Sequence, residues 1–315
     1  MHRHGKTAAG TERWRCPSCK GTGVKTRKDT SLRHVRELFR RWITGTATMT
    51  DIAQEKKATR QTVARWFEPL WREATTCPIP SSTQASWLMV DGIYLQKRME
   101  LALIARTDQG EIFWDFAPYE SSWYWEKFFL RLPVPDIVIS DGQKGLQKAI
   151  QDHWPDTALQ RCIFHVMQLA TIRLTRHPKT VAGKEMRILM GHLPEVHTHA
   201  RKERWIALFE QWEHRHEKLL KERTYGDGSS SRRWWYTHRN LRAVRSLIRN
   251  ALPHLFTYLN YPGMPRTTNH VEGGLNARLA ELVHRHRGLN INQKRVLAAE
   301  FLRRTSKKNP TRNVT

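Results

Sequence analysis

Two aspartates carry the strongest chemical signal in this chain. Asp91 closes the run Trp87-Leu88-Met89-Val90-Asp91-Gly92, and Asp141 closes Ile137-Val138-Ile139-Ser140-Asp141-Gly142. Each is an apolar strand-like stretch ending in an acid and a glycine. A carboxylate there is costly unless a cation compensates it, and the glycine lets the backbone turn away sharply. If the two strands are neighbours, both acids reach one sheet edge and offer hard oxygens to Mg²⁺ or Mn²⁺. A third carboxylate would complete such a site. Two softer pairs stand apart. Cys16 and Cys19 form a C-x2-C, half of a tetrahedral zinc site, with His2 and His4 as candidates for the remainder; the bland alternative is an unmetallated turn or a ribbon lacking its second half. Cys162 and His165 have no companion pair nearby in sequence, so a structural role is expected for them.

The elements that must position the acids follow from periodicity. Trp87 to Leu95, Glu100 to Ala105 and Glu111 to Phe116 read as strands, Ser122 to Leu132 as a helix, Asp136 to Ser140 as a strand, Leu146 to Trp154 as a helix and Thr157 to Ile163 as a fifth strand. The order β-β-β-α-β-α-β is that of a ribonuclease-H-like α/β fold with a mixed sheet. Upstream, Leu32, Val35, Leu38, Phe39 and Trp42 mark an amphipathic helix. Thr48-Met49-Thr50-Asp51 resembles a capping box for a short helix from Thr50 to Glu55. Thr59 is placed to cap another, with Val63, Trp66, Phe67 and Leu70 inward. This is helix-turn-helix spacing. Cys77 to Thr83 breaks every periodicity and reads as a linker.

Charge indicates the partner. Lys and Arg total 54 against 29 acids, a formal charge of +25, which attracts polyanions, nucleic acid foremost. Arg60, Gln61 and Arg65 on the second short helix are then the expected readers of base edges in a DNA major groove, the alternative being a merely solvated face. Apolar runs such as Leu101 to Ala105 are too short to span a bilayer, no secretory signal precedes them, and four cysteines do not make a disulfide scaffold. A cytoplasmic, nucleoid-associated protein is expected, with no membrane partner.

Beyond the sheet lies Thr267-Thr268-Asn269-His270-Val271-Glu272-Gly273-Gly274-Leu275-Asn276-Ala277-Arg278. Together with Asp91, with Ser140-Asp141-Gly142 and with Cys162-Ile163-Phe164-His165, in that order, it resembles the motif set of Mutator-type bacterial insertion-sequence transposases, DDE enzymes of the ribonuclease-H-like superfamily. The resemblance covers roughly residues 85 to 300. It implies that Asp91, Asp141 and Glu272 bind two Mg²⁺ or Mn²⁺ ions, about 4 Å apart in such sites, with Asp91 bridging. It implies hydrolysis at a DNA end followed by strand transfer, and partners consisting of the element's ends and a target duplex. It places Cys162 and His165 behind the metal ligands as support.

At helical spacing Asn269, Glu272 and Asn276 share a face, where the asparagines orient the acid or touch phosphate. Gly273-Gly274 sacrifices about 1 kcal/mol each relative to alanine, which points to close approach of a DNA backbone. The stretch between His165 and Pro262 reads as a helical insertion with periodicity through Trp205, Leu208, Phe209, Trp212 and Leu219-Leu220. Its tip joins Arg232, Arg233 and Trp234, candidates for phosphate contact and for stacking on an unpaired base; helix packing is the plain alternative for the tryptophans. Lys294-Arg295 to Arg303-Arg304 supplies a basic final helix.

The organisation expected is therefore a zinc-ribbon-like segment (1–28) in which Cys16 and Cys19 are candidates for one structural Zn²⁺, a helix-turn-helix (29–75), a linker (76–85), the first part of the catalytic core (86–165), the helical insertion (166–262) and the last core helices with Glu272 (263–315). Synapsis of two DNA ends favours a homodimer or larger assembly. Two rivals remain: a ribonuclease-H-like nuclease or resolvase that stops after hydrolysis, and a non-enzymatic helix-turn-helix regulator.

Overall fold

The computed structural model describes residues 1–8, 10–24, 32–73, 75–77, 85–96, 99–226, 233–267 and 272–306, without the side chains of residues 272 and 273. Most of the expected linker, Asn269 and Arg232 lie outside the described residues. The chain divides into two compact units, Met1–Thr75 with Leu282–Leu297, and Thr76–Glu281 with Ala298–Thr315. The final stretch, expected as one piece of the core, is thus shared between them.

In the first unit, β1 (His2–Lys6), β2 (Glu12–Arg15) and β3 (Thr22–Gly23) form a small antiparallel sheet. Three helices follow, α1 (Leu32–Ile43), α2 (Met49–Glu55) and α3 (Arg60–Phe67). The capping box forms: the Asp51 amide donates to Thr48 Oγ1 at 3.1 Å and the Thr48 amide to Asp51 Oδ2 at 2.8 Å. It starts α2 one residue earlier than the spacing suggests. Thr59 Oγ1 accepts from the Thr62 amide and caps α3. Val35, Leu38, Phe39, Ile52, Val63, Phe67 and Leu70 are buried, and the Phe67 ring meets Phe39 edge-on at 5.2 Å and stacks on Trp42 at 5.5 Å. Trp66 is only half-buried, leaving Phe67 as the aromatic anchor of α3.

The second unit is built on a sheet of β4 (Ala85–Gln96), β5 (Glu100–Thr107), β6 (Ile112–Ala117), β7 (Pro135–Ser140) and β8 (Ala158–Arg161), in spatial order β6-β5-β4-β7-β8. β5 runs antiparallel to β4 and β6, whereas β4, β7 and β8 are parallel. Parallel neighbours need crossovers, which α4 (Ser122–Phe129) and α5 (Lys144–His153) provide. Trp125, Phe128 and Phe129 of α4 are fully buried, with Phe129 stacked on Trp154 at 4.3 Å. β8 stops short of the expected Ile163. The Cys162 amide donates to Ser140 O at 2.8 Å as the last rung, and Ile163 already opens α6 (Ile163–Leu174).

A helical lobe succeeds the sheet: α6, α7 (Val181–Gly191), α8 (His199–Arg215), α9 (Glu217–Lys221), an antiparallel pair β9 (Arg223–Tyr225) and β10 (Trp234–Tyr236), and α10 (Arg239–Leu255). The β9–β10 pair was not legible in the helical periodicity. Trp205, Phe209 and Trp212 form the buried stripe of α8 while Leu208 faces out, and both indoles are satisfied, donating to Leu189 O (2.9 Å) and Ala182 O (3.0 Å). Buried Gln160 on β8 ties lobe to sheet, donating to Leu255 O at 3.0 Å and accepting from the Tyr258 amide at 2.9 Å. A π-helical turn, Glu272–Asn276, leads into α11 (Ala277–Arg285) and then α12 (Ile291–Ser306). Lys294 of α12 is buried and Arg303 pairs with Glu300 at 2.9 Å, so part of the charge expected to face phosphate is used internally.

Candidate active site

Register decides where the acids stand. Val90 on β4 pairs with Ser140 on β7, and Ser140 with Arg161 on β8. The next residue along each chain is Asp91, Asp141 and Cys162, so the two acids are nearest neighbours across adjacent parallel strands, which lie about 4.8 Å apart. That is close enough for shared ligation of one cation. Asp91 is 8% exposed; its Oδ1 accepts from the Gly92 amide at 2.8 Å. Asp141 is half-buried and its Oδ1 accepts from the Gln143 amide at 2.9 Å.

Asn276 closes on this pair from the far end of the sequence. Its Nδ2 donates to Asp91 Oδ2, and its own Oδ1 is buried without a hydrogen-bond partner among the described residues. The π turn places it: an i→i+5 turn widens the spacing of an α-helix and is frequent where function demands it. Leu275 and Asn276 are buried, Gly274 and Ala277 exposed. Glu272 begins the same turn, with its side chain outside the description. Among the described residues no group of three or more His, Cys, Asp or Glu forms a metal site, so the structure brings together Asp91, Asp141 and Asn276 and leaves the third acid open.

Two residues beside Asp141 escaped the sequence reading. Arg161 is only 5% exposed, its burial lowering its pKa while the Asp141 charge acts the other way. Its guanidinium lies on the Asp141–Gly142 turn: a Cβ on Gly142 would fall 1.0 Å from Nη1, and Gly142 has φ +78°. Nη1 is buried without a hydrogen-bond partner among the described residues. A single Arg at the end of a strand carries no sequence signal, because its depth comes from β8 being covered. Glu120 precedes α4; burial raises its pKa first, and the neighbouring Asp141 charge adds to this. Trp125 Nε1 donates to it at 3.2 Å. The start of α4 reaches the Asp141 turn through Gly145, where a Cβ would meet the Ser122 nitrogen at 3.2 Å. Glu120 thus feels the Asp141 charge, and the carboxylate oxygens of Asp91 and Asp141 are of the kind that hold Mg²⁺ or Mn²⁺.

Cys162 is fully buried and forms the N-cap of α6. His165 lies one turn on, its pKa lowered by burial against the opposing Asp141 charge. Cys162 is joined to the strand that precedes Asp141 by its amide bond to Ser140 O, and His165 feels the Asp141 charge. Elsewhere, Arg60, Gln61 and Arg65 are all exposed on α3. Trp234 is 39% exposed, with the Arg223 guanidinium 4.0 Å above its ring, and Arg233 is exposed beside it. At the N-terminus the amide of Cys19, and then that of Ser18, bonds the Cys16 thiol and lowers its pKa, in a turn closed by Lys20 N to Cys16 O at 3.0 Å. His2 and His4 are exposed on β1, and among the described residues no group of three or more candidate ligands gathers at Cys16 and Cys19.

Sheet order and paired acids define an α/β domain with an acidic centre between its two central parallel strands. Residues 87–169, which contain both aspartates, α4, α5 and the Cys162–His165 pair, match the family model of the MULE transposase domain. No curated protein matches the chain. Among the described residues no helix is long and apolar enough to cross a membrane.

Proposed function

We propose that this protein is a DDE transposase with a ribonuclease-H-like core, cleaving DNA at the ends of an insertion sequence and joining them to a target. The observation that carries this reading is the pairing of Val90 with Ser140 on adjacent parallel strands, which brings the following residues Asp91 and Asp141 to the same level, inside the segment that matches the transposase domain. Glu272 supplies the third carboxylate, from the turn that also sends Asn276 to Asp91. Bound Mg²⁺ or Mn²⁺ ions supply Lewis-acid activation of the attacking and leaving oxygens. The chain's own residues hold the ligands in place: Asn276 orients Asp91, the Gln143 amide orients Asp141, and Arg161 braces the turn after it. Cys162 and His165 support this turn from α6.

The charge of +25 suits the polyanionic substrate. α2 and α3 act as a helix-turn-helix on the terminal inverted repeats, with Arg60, Gln61 and Arg65 exposed to base edges, and Arg233 and Trp234 add contacts from the helical lobe. Cys16 and Cys19 remain candidates for a structural Zn²⁺ whose other ligands are unassigned. Two DNA ends call for a homodimer or larger assembly.

The test is incubation of the purified protein with a labelled DNA end, supercoiled target and Mg²⁺, comparing wild type with Asp91→Asn and with chelator present. Joined product only with wild type and metal supports the proposal. Cleavage without joining replaces it with a nuclease or resolvase, and binding without either product with a regulator.

A further inference from the structure

The helical lobe contains a pocket of about 390 Å³ that the catalytic reading does not use. It is lined by Arg173 at the end of α6, His177 and Lys179 in the connection to α7, and His238 and Arg239 at the start of α10. No aspartate or glutamate lines it. Arg173, Lys179 and Arg239 are exposed, and none of them makes an ion pair among the described residues. Three strong cations gathered on one concavity repel one another, and the nearby Glu222 carboxylate is bonded to His238 at 2.9 Å rather than to any of the three. The wall also includes the first turn of α10, which no side chain caps, so its free amides add to the same preference.

We propose that this pocket takes backbone phosphates of duplex DNA, giving the helical lobe a second hold on the substrate away from the acids. Guanidinium groups match the paired oxygens of a phosphate bidentately. The duplex is favoured over a small phosphate because the cations come from three separate elements around an open rim. Exposed Arg176 lies in sequence between the lining residues Thr175 and His177, and exposed Arg233 precedes β10, which leads into α10. This inference rests on the reading that the chain acts on DNA.

The experiment compares wild type with R173Q/K179Q/R239Q for binding to a short labelled end duplex by fluorescence anisotropy across a salt series. Circular dichroism checks the fold, and the single exposed change Lys179→Glu serves as a second variant. Each lost phosphate contact flattens the plot of log K against log salt by about 0.9. The expected result is a slope shallower by about 2 to 3 in the triple variant, with affinity reduced about tenfold or more at low salt. Unchanged slope and affinity overturn the proposal while leaving the transposase reading intact. Thermal protection by inorganic phosphate, lost in the variant while DNA binding is unaltered, assigns the pocket to a small anion instead and also overturns it. Absence of DNA binding by the wild type removes both readings together.

Discussion

At the residue scale, the proposed chemistry requires two carboxylates that are held still. Asn276 is the clearest holder, because a buried amide bonded to Asp91 leaves that carboxylate little freedom. Loss of an outer partner of a metal-binding carboxylate typically costs 10–100-fold in metal affinity or activity, so Asn276→Ala should reduce Mn²⁺ affinity by about that range, read by calorimetric titration. An unchanged affinity would show that Asp91 is fixed by its strand alone. Gly142 presents the opposite problem. Its φ of +78° and the overlying Arg161 leave no space for a Cβ. Gly142→Ala should lower stability by about 1–3 kcal/mol from backbone strain, more if Arg161 is displaced, and should reduce cleavage by moving Asp141. Denaturant midpoint and single-turnover rate measure the two effects separately.

At the element scale, the three helices of the first unit hold together through aromatic packing. Phe67 is fully buried between Phe39 and Trp42, and truncating such a ring costs about 3–5 kcal/mol. Phe67→Ala should therefore unfold α1–α3 cooperatively and remove binding to the element's end duplex, followed by anisotropy. If end binding persists with these helices melted, α3 is not the reader. Starts of helices were readable where a cap stood, at Thr59 and, within one residue, at Thr48, because caps act locally, whereas α4 ends at Phe129, three residues before the expected Leu132. The end of β8 was not readable, since a hydrogen bond from Cys162 to Ser140 on another strand sets it.

At the scale of the whole molecule, several histidines are held neutral by burial. His286 sits edge-on to Trp42 at 4.9 Å; burial lowers its pKa, against hydrogen bonds to the Ile43 and Trp42 backbone. His254 and His165 are lowered chiefly by burial as well. With folded values below unfolded ones, the unfolded chain takes up protons first. Stability is thus full above the unfolded pKa, about 6.5, and is lost as pH falls through it toward the lower folded values. The thermal midpoint should drop between about pH 7 and pH 5, and His286→Phe should make that drop smaller. An equal drop in the variant would place the acid sensitivity elsewhere.

By itself the sequence determined the alternation of strands and helices, the two aspartates that follow apolar runs and the sign of the protein's field, because apolar periodicity and net charge act over a few residues or over the whole composition; it misplaced Asp91 at a strand end, whereas β4 runs on to Gln96 through its ladder with β5 and leaves Asp91 within the strand. It also brought out the motif around Glu272 and Asn276. Only the tertiary structure decided that β4 and β7 are neighbours in the register that sets Asp91 beside Asp141, that a π turn delivers Asn276 to Asp91, and that Arg161 and Glu120 crowd the same centre. Those facts depend on pairings between residues from about twenty to nearly two hundred positions apart, and burial, which turns an ordinary arginine or glutamate into part of a site, exists only once such distant segments have packed.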